Sequence, residues 1–171
     1  MKLWDLITGS RPAPKGVRRL GAAALRERLM ALNRDTAPWK VRSGAREHVD
    51  LVGEWKIVDA RWYEIFAKAG LKRTFKVLMK FDAEKHEVRA VDQAWEIEWK
   101  VGGHPVLTLE ATAFRGQQWE KSFEAVYAFR EDLSYGEIYS YRFDSEEIKD
   151  PLRKAVHDAG WGWRGVAFSK L

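Results

Sequence analysis

From Arg73 to Phe143 the chain keeps returning to a two-residue hydrophobic period, broken by short polar turns. RTFKVLMKF sets Phe75, Val77, Met79 and Phe81 on one side of an extended backbone, because successive strand side chains point to opposite faces. EVRAVDQAWEIEWKV puts Trp95, Ile97, Trp99 and Val101 on one face and Glu96, Glu98 and Lys100 on the other. WEKSFEAVYAF keeps Trp119, Phe123, Ala125, Tyr127 and Phe129 in phase, and EIYSYRF does the same for Tyr139, Tyr141 and Phe143. DAEKH, GGHP, RGQQ and EDLSYG supply the turns. Such segments predict antiparallel strands with one buried and one solvated face.

Two stretches change period. Residues 17–33 carry Leu20, Ala24, Leu25, Leu29 and Leu32 at helical spacing, with Gly21 weakening the first turn and Asn33 as a stop. Near the other end, Asp150-Pro151 reads as a cap followed by proline at the first helical position. Leu152, Ala155, Val156 and Ala159 then line one side, Arg153, Lys154, His157 and Asp158 line the rest, and Gly160 ends the helix. A short helix over 60–69 is predicted from Trp62, Ile65, Phe66 and Ala69. Strands are expected at 39–42 and 48–58, with a bulge at Gly53. The fold class is therefore α+β: a bent antiparallel sheet of about six to eight strands in meander order, covered on one face by an N-terminal and a C-terminal amphipathic helix. Residues 1–15, with the Pro- and Gly-rich GSRPAPKG, read as an extended arm and linker, and 16–171 as a single domain.

After the second helix comes WGWRGVAF, residues 161–168. In a regular strand Trp161 and Trp163 share one face while Val166 and Phe168 fall on the other. A bulge at Gly165 would bring all four to one side and leave Arg164 outside, making this a closing strand of the core. The functional alternative is a concave pocket lined by Trp95, Trp99, Trp119, Tyr127, Tyr141 and Trp163, with Arg142 or Arg164 meeting a ligand carboxylate.

Charge is unevenly placed. Net charge is +5, yet residues 1–46 hold eleven Lys or Arg against three acids. Such a basic quarter suits phosphates or an anionic surface, with Arg18, Arg19, Arg26 and Arg28 as candidate contacts, unless it lies on the acidic remainder of its own chain.

Cysteine is absent, which excludes disulfides and thiolate chemistry. His48, His86, His104 and His157 show no metal-ligand spacing, Glu96 and Glu98 read as a solvent face, and Glu120 and Glu124 read the same way. No nucleophile elbow or phosphate-binding glycine pattern occurs, so no cofactor or metal is implied. Asp5 interrupts the only apolar run near the N-terminus, and a soluble cytoplasmic chain is expected. The sequence thus predicts a non-enzymatic binding protein. Its aromatic face would hold a small apolar ligand, or its surface a protein partner. Nucleic-acid or anionic-surface binding through the basic quarter is the alternative, and an enzyme with a Glu-centred acid–base pair assembled in space is a further one. The apolar stripe of the first helix leaves a dimer open.

Overall fold

The computed structural model describes residues 3, 8–59, 62, 66–67, 71–100, 105–109, 115–116, 127–130, 138–141, 145–166 and 171. It is α+β. Strands β1 (Trp39–Ser43), β2 (Leu51–Trp55), β3 (Arg73–Asp82), β4 (Glu87–Trp99) and β5 (Pro105–Leu109) lie side by side in chain order, each antiparallel to the next. β6 (Arg115–Gly116) and β9 (Gly162–Gly165) also join β4, while β7 (Tyr127–Arg130) and β8 (Ile138–Tyr141) form a separate antiparallel pair. The thirteen-residue β4 is the spine of the sheet. Its first edge is taken by β3, and its second is shared along its length by β9, β6 and β5.

β9 runs parallel to β4, so the sheet is mixed and not purely antiparallel as expected. Side-chain period reports which face is buried but carries no information about strand direction. Helix α1 (Ala22–Met30) and helix α2 (Ser145–Asp158) complete the regular structure. α1 is shorter than the periodic segment, with Gly21 at its N-cap and not inside it. α2 begins earlier than the proline suggested, so Pro151 lies inside the helix. The helix expected over 60–69 falls largely outside the described residues. Its Trp62 and Phe66 are buried, and the Phe66 amide donates to the Trp62 carbonyl at 3.1 Å.

The core lies between one face of the sheet and the helices. Trp39, Val41, Trp55, Phe75, Val77, Met79, Val88 and Ala90 meet Leu25 and Leu29 of α1 and Ile148, Leu152 and Val156 of α2 in one buried cluster. Each such large side chain contributes about 1.5–3 kcal/mol through removal from water. Trp55 makes edge-to-face contacts with Phe66 and Phe75, both at 6.4 Å between ring centroids. Gly53 is no bulge: it pairs in register with Val41 and with Val77. A Cβ there would stand 3.2 Å from Leu152 Cδ1 and 3.3 Å from Ile148 Cδ1, so the glycine lets α2 approach the middle of the sheet.

The buried phase of β4 changes along its length. Val88, Ala90, Asp92 and Ala94 are buried, and then Ile97. The β3–β4 register is unbroken from Asp82↔Glu87 to Arg73↔Glu96, which places Trp95 opposite Thr74 and away from the Phe75 face. Ile97 nevertheless belongs to the buried core cluster, and Trp99 packs against it. The second face is also not uniformly solvated. Val52, Leu78 and Val91 stand in one cross-strand row and form a small cluster with Val49 and Leu171.

β1 ends the sheet, and its outer edge is clamped. Asn33 donates from Nδ2 to the Val41 carbonyl and accepts from the Val41 amide at Oδ1, both at 2.7 Å. One side-chain amide thus occupies the groups a neighbouring strand would use. Asn33→Leu is expected to cost about 2 kcal/mol, near 1 kcal/mol for each lost bond, and to make the protein self-associate through β1. Urea unfolding and sedimentation against concentration check both effects.

Candidate functional site

α2 ends in a glycine-terminated hydrogen-bond pattern. Gly160 takes φ +77°, its amide donates to the His157 carbonyl at 2.9 Å, and the Trp161 amide donates to the Val156 carbonyl at 3.1 Å. The Ala159 carbonyl then accepts the Leu20 amide at 2.9 Å, a bond from outside the helix. Residues 11–20 cross this end of the molecule as a strap. Arg11 and Trp163 exchange backbone bonds of 2.7 and 2.8 Å, and His157 Nε2 lies 2.8 Å from the Pro12 carbonyl. A carbonyl only accepts, so Nε2 carries the proton. The Trp161 indole N–H donates to the Leu20 carbonyl at 2.7 Å. Contact is close throughout: a Cβ on Gly160 would lie 2.9 Å from Arg19 Cα, and one on Gly162 would lie 3.1 Å from the Ala13 nitrogen.

The strap carries its charge outward. Arg11, Lys15, Arg18 and Arg19 are exposed, as is Arg28 on α1, and none of the five enters an ion pair among the described residues. Arg26 differs: its Nη1 donates inward to the Asp50 carbonyl at 2.8 Å. Lys154 pairs with Asp158 at 2.5 Å, and that hydrogen bond holds the Asp158 carboxyl below the ordinary carboxylate range, with Arg28 and His157 adding to the effect. Arg164 is exposed and 3.9 Å from Glu87. The negative end of the α2 dipole favours cations here, which helps to explain why they gather at this end.

The aromatic candidates do not form one group. Trp163 and Trp161 are each 1% exposed, and Trp161 meets Phe81 and His86 edge-on. β9 pairs with β4 without interruption through Gly165, so no bulge reverses its phase, and Phe168 lies outside the described residues. Trp95 is half-buried on the second sheet face, with Lys76 Nζ 4.6 Å from its ring centre. Trp99 donates its indole N–H to the Leu71 carbonyl at 2.7 Å. Tyr127 and Tyr141 are register partners on β7 and β8. Trp119 and Arg142 lie outside the described residues, as do His104, Glu120 and Glu124.

Glu96 and Glu98 are exposed, and Glu98 pairs with Lys100 at 2.7 Å. Among the described residues no group of His, Asp and Glu is placed to hold a metal ion, and no helix is long and apolar enough to cross a membrane.

Two charged clusters escaped the sequence reading. On the core face Lys149 of α2 and Asp92 of β4 form an ion pair in which both side chains are 1% exposed. Near it Arg153, expected on the polar side of the helix, is 2% exposed and bonded to Glu146 at 2.5 Å. On the second sheet face Glu54 receives Arg42 at 2.9 Å, Lys76 at 3.5 Å and Lys40 at 3.8 Å, while Arg42 also holds Glu47 at 2.6 Å. These bonds raise the already high Arg42 pKa further and hold Glu47 below its usual range. The signal for this second cluster was present as charges at every second position of WKVR and GEWK.

The molecule is thus an α+β chain with a mixed sheet and a cationic strap fixed across the end of its C-terminal helix. No family model, no curated protein and no solved structure matches it.

Proposed function

We propose that the protein is a non-enzymatic binding module that holds the phosphate backbone of a nucleic acid on its cationic strap. The observation behind this is the set of five exposed cations, Arg11, Lys15, Arg18, Arg19 and Arg28, with no ion-pair partner among the described residues. A basic segment lying on its own chain's acids would have no charge to offer; this one is tied down by backbone bonds that leave its side chains in water. Four of the five are arginines, whose guanidinium forks match phosphate oxygens. On this proposal the concave sheet face is core, covered by two amphipathic helices, and the site is electrostatic with little base readout. A nucleic-acid partner also suits a cytoplasmic chain.

A fluorescein-labelled duplex of arbitrary sequence, titrated with the full chain at low salt, tests it. R18Q/R19Q/R28Q is expected to weaken binding at least tenfold and to flatten the salt dependence by about three phosphate contacts, with unfolding unchanged. Equal affinity of the variant and the parent would overturn the proposal. So would binding to phosphatidylserine vesicles with none to the duplex.

A further inference from the structure

On the second face of the sheet, away from the strap, a cleft of about 350 Å³ opens between β1, β2, β3 and β5. Lys40, Arg42, Arg46 and Lys76 line it, and among the described residues the only acid in its wall is Glu54. Glu54 is shared by three of those cations, and Glu47 takes the other side of Arg42. Among the described residues, four cations against these two carboxylates leave an excess of positive charge. Arg46 is exposed and enters no ion pair among the described residues, and the Lys40 side chain is 41% exposed. Apolar side chains also line it, with Val58 64% exposed and Leu107 half-buried. Thr74 also lines the cleft; it is 9% exposed, and its Oγ1 is shielded from solvent with no hydrogen-bond partner among the described residues. A buried hydroxyl without a partner costs stability unless something else completes its bonding.

We infer that this cleft is a binding site for a small amphipathic carboxylate. Its anionic head would lie between Lys40, Arg46 and Lys76, and its short hydrocarbon body against Val58 and Leu107. The cleft is within the range of about 300–1,000 Å³ usual for small-molecule sites, and its lining has the usual mixture of apolar side chains and few polar anchors. A neutral apolar ligand leaves the excess charge uncompensated, and a bare anion leaves the apolar side chains wet. The carboxylate therefore has to carry a hydrocarbon chain.

Octanoate, octanol and acetate, each titrated into the full chain by isothermal calorimetry, separate these contributions. Octanoate is expected to bind saturably, with octanol and acetate each at least tenfold weaker. K40Q/R46Q alters two surface side chains and is expected to weaken octanoate at least tenfold. T74V, nearly isosteric, is expected to weaken it about threefold. R18Q/R19Q/R28Q should bind octanoate as the parent does, which keeps this site separate from the strap. Absence of saturable octanoate binding, octanol binding as well as octanoate, or an unchanged affinity in K40Q/R46Q would each overturn the inference.

Discussion

Asp92→Ala is expected to destabilise the protein by about 3–5 kcal/mol, the usual penalty for stranding one member of a buried ion pair. Asp92 sits on β4 in the row Val41–Gly53–Val77–Asp92, in the middle of the core face. Lys149 reaches it from α2, and its ammonium also lies 5.7 Å from the centre of the Phe75 ring. Without the carboxylate the lysine, 1% exposed, loses the anion that its ammonium meets on β4. Lys149→Ala should cost a similar amount for the converse reason. Replacing both with apolar residues of similar volume, D92L/K149M, is expected to recover most of the loss, because the desolvation of both charges is then removed. Urea unfolding of D92L, K149M and D92L/K149M measures the coupling. Additive losses in D92L/K149M would contradict the picture of a paired, desolvated couple.

Trp161→Ala is expected to cost about 3–5 kcal/mol, as truncation of a fully buried large ring does. The ring packs on Phe81 at 5.9 Å between centroids and on His86 at 5.3 Å, and its N–H holds the strap through the Leu20 carbonyl. Trp161→Phe separates the two roles. It keeps much of the apolar contact and removes the donor, with an expected loss of about 1–3 kcal/mol from the unsatisfied carbonyl and the smaller ring. Because the strap is then less firmly held, duplex affinity should fall in Trp161→Phe although every cation remains. Thermal unfolding and duplex titration of the same sample check the two effects. Unchanged stability in the alanine variant would mean that the ring is not the closing piece of the core.

What the sequence disclosed was what a local pattern can carry. Alternation at Phe75, Val77, Met79 and Phe81 announced a strand with one buried face, and those residues lie on β3 with three of the four buried. Gly160 announced the end of a helix because a left-handed turn there favours glycine. Features set by a distant partner stayed hidden. Gly53 resembled a bulge, but its lack of a Cβ answers to Ile148 and Leu152, almost a hundred residues on. Arg153 read as a surface charge and Lys149 drew no reading, because their carboxylate partners come from two turns earlier in α2 and from β4. The same limit applied to the strap. Its charge was legible from residue types alone, whereas its anchoring on Trp163, His157 and Ala159 depends on elements more than a hundred residues away. Separating Arg26 from Arg18, Arg19 and Arg28 likewise required knowing that Asp50 lies beneath it.

The most direct measurement is the salt dependence of duplex binding by the unmodified chain. Five phosphate contacts predict a slope of about −4.5 for log K against log salt concentration, and a near-constant value across duplex sequences. A slope near zero, or binding confined to one duplex sequence, would contradict a strap that holds phosphates by charge.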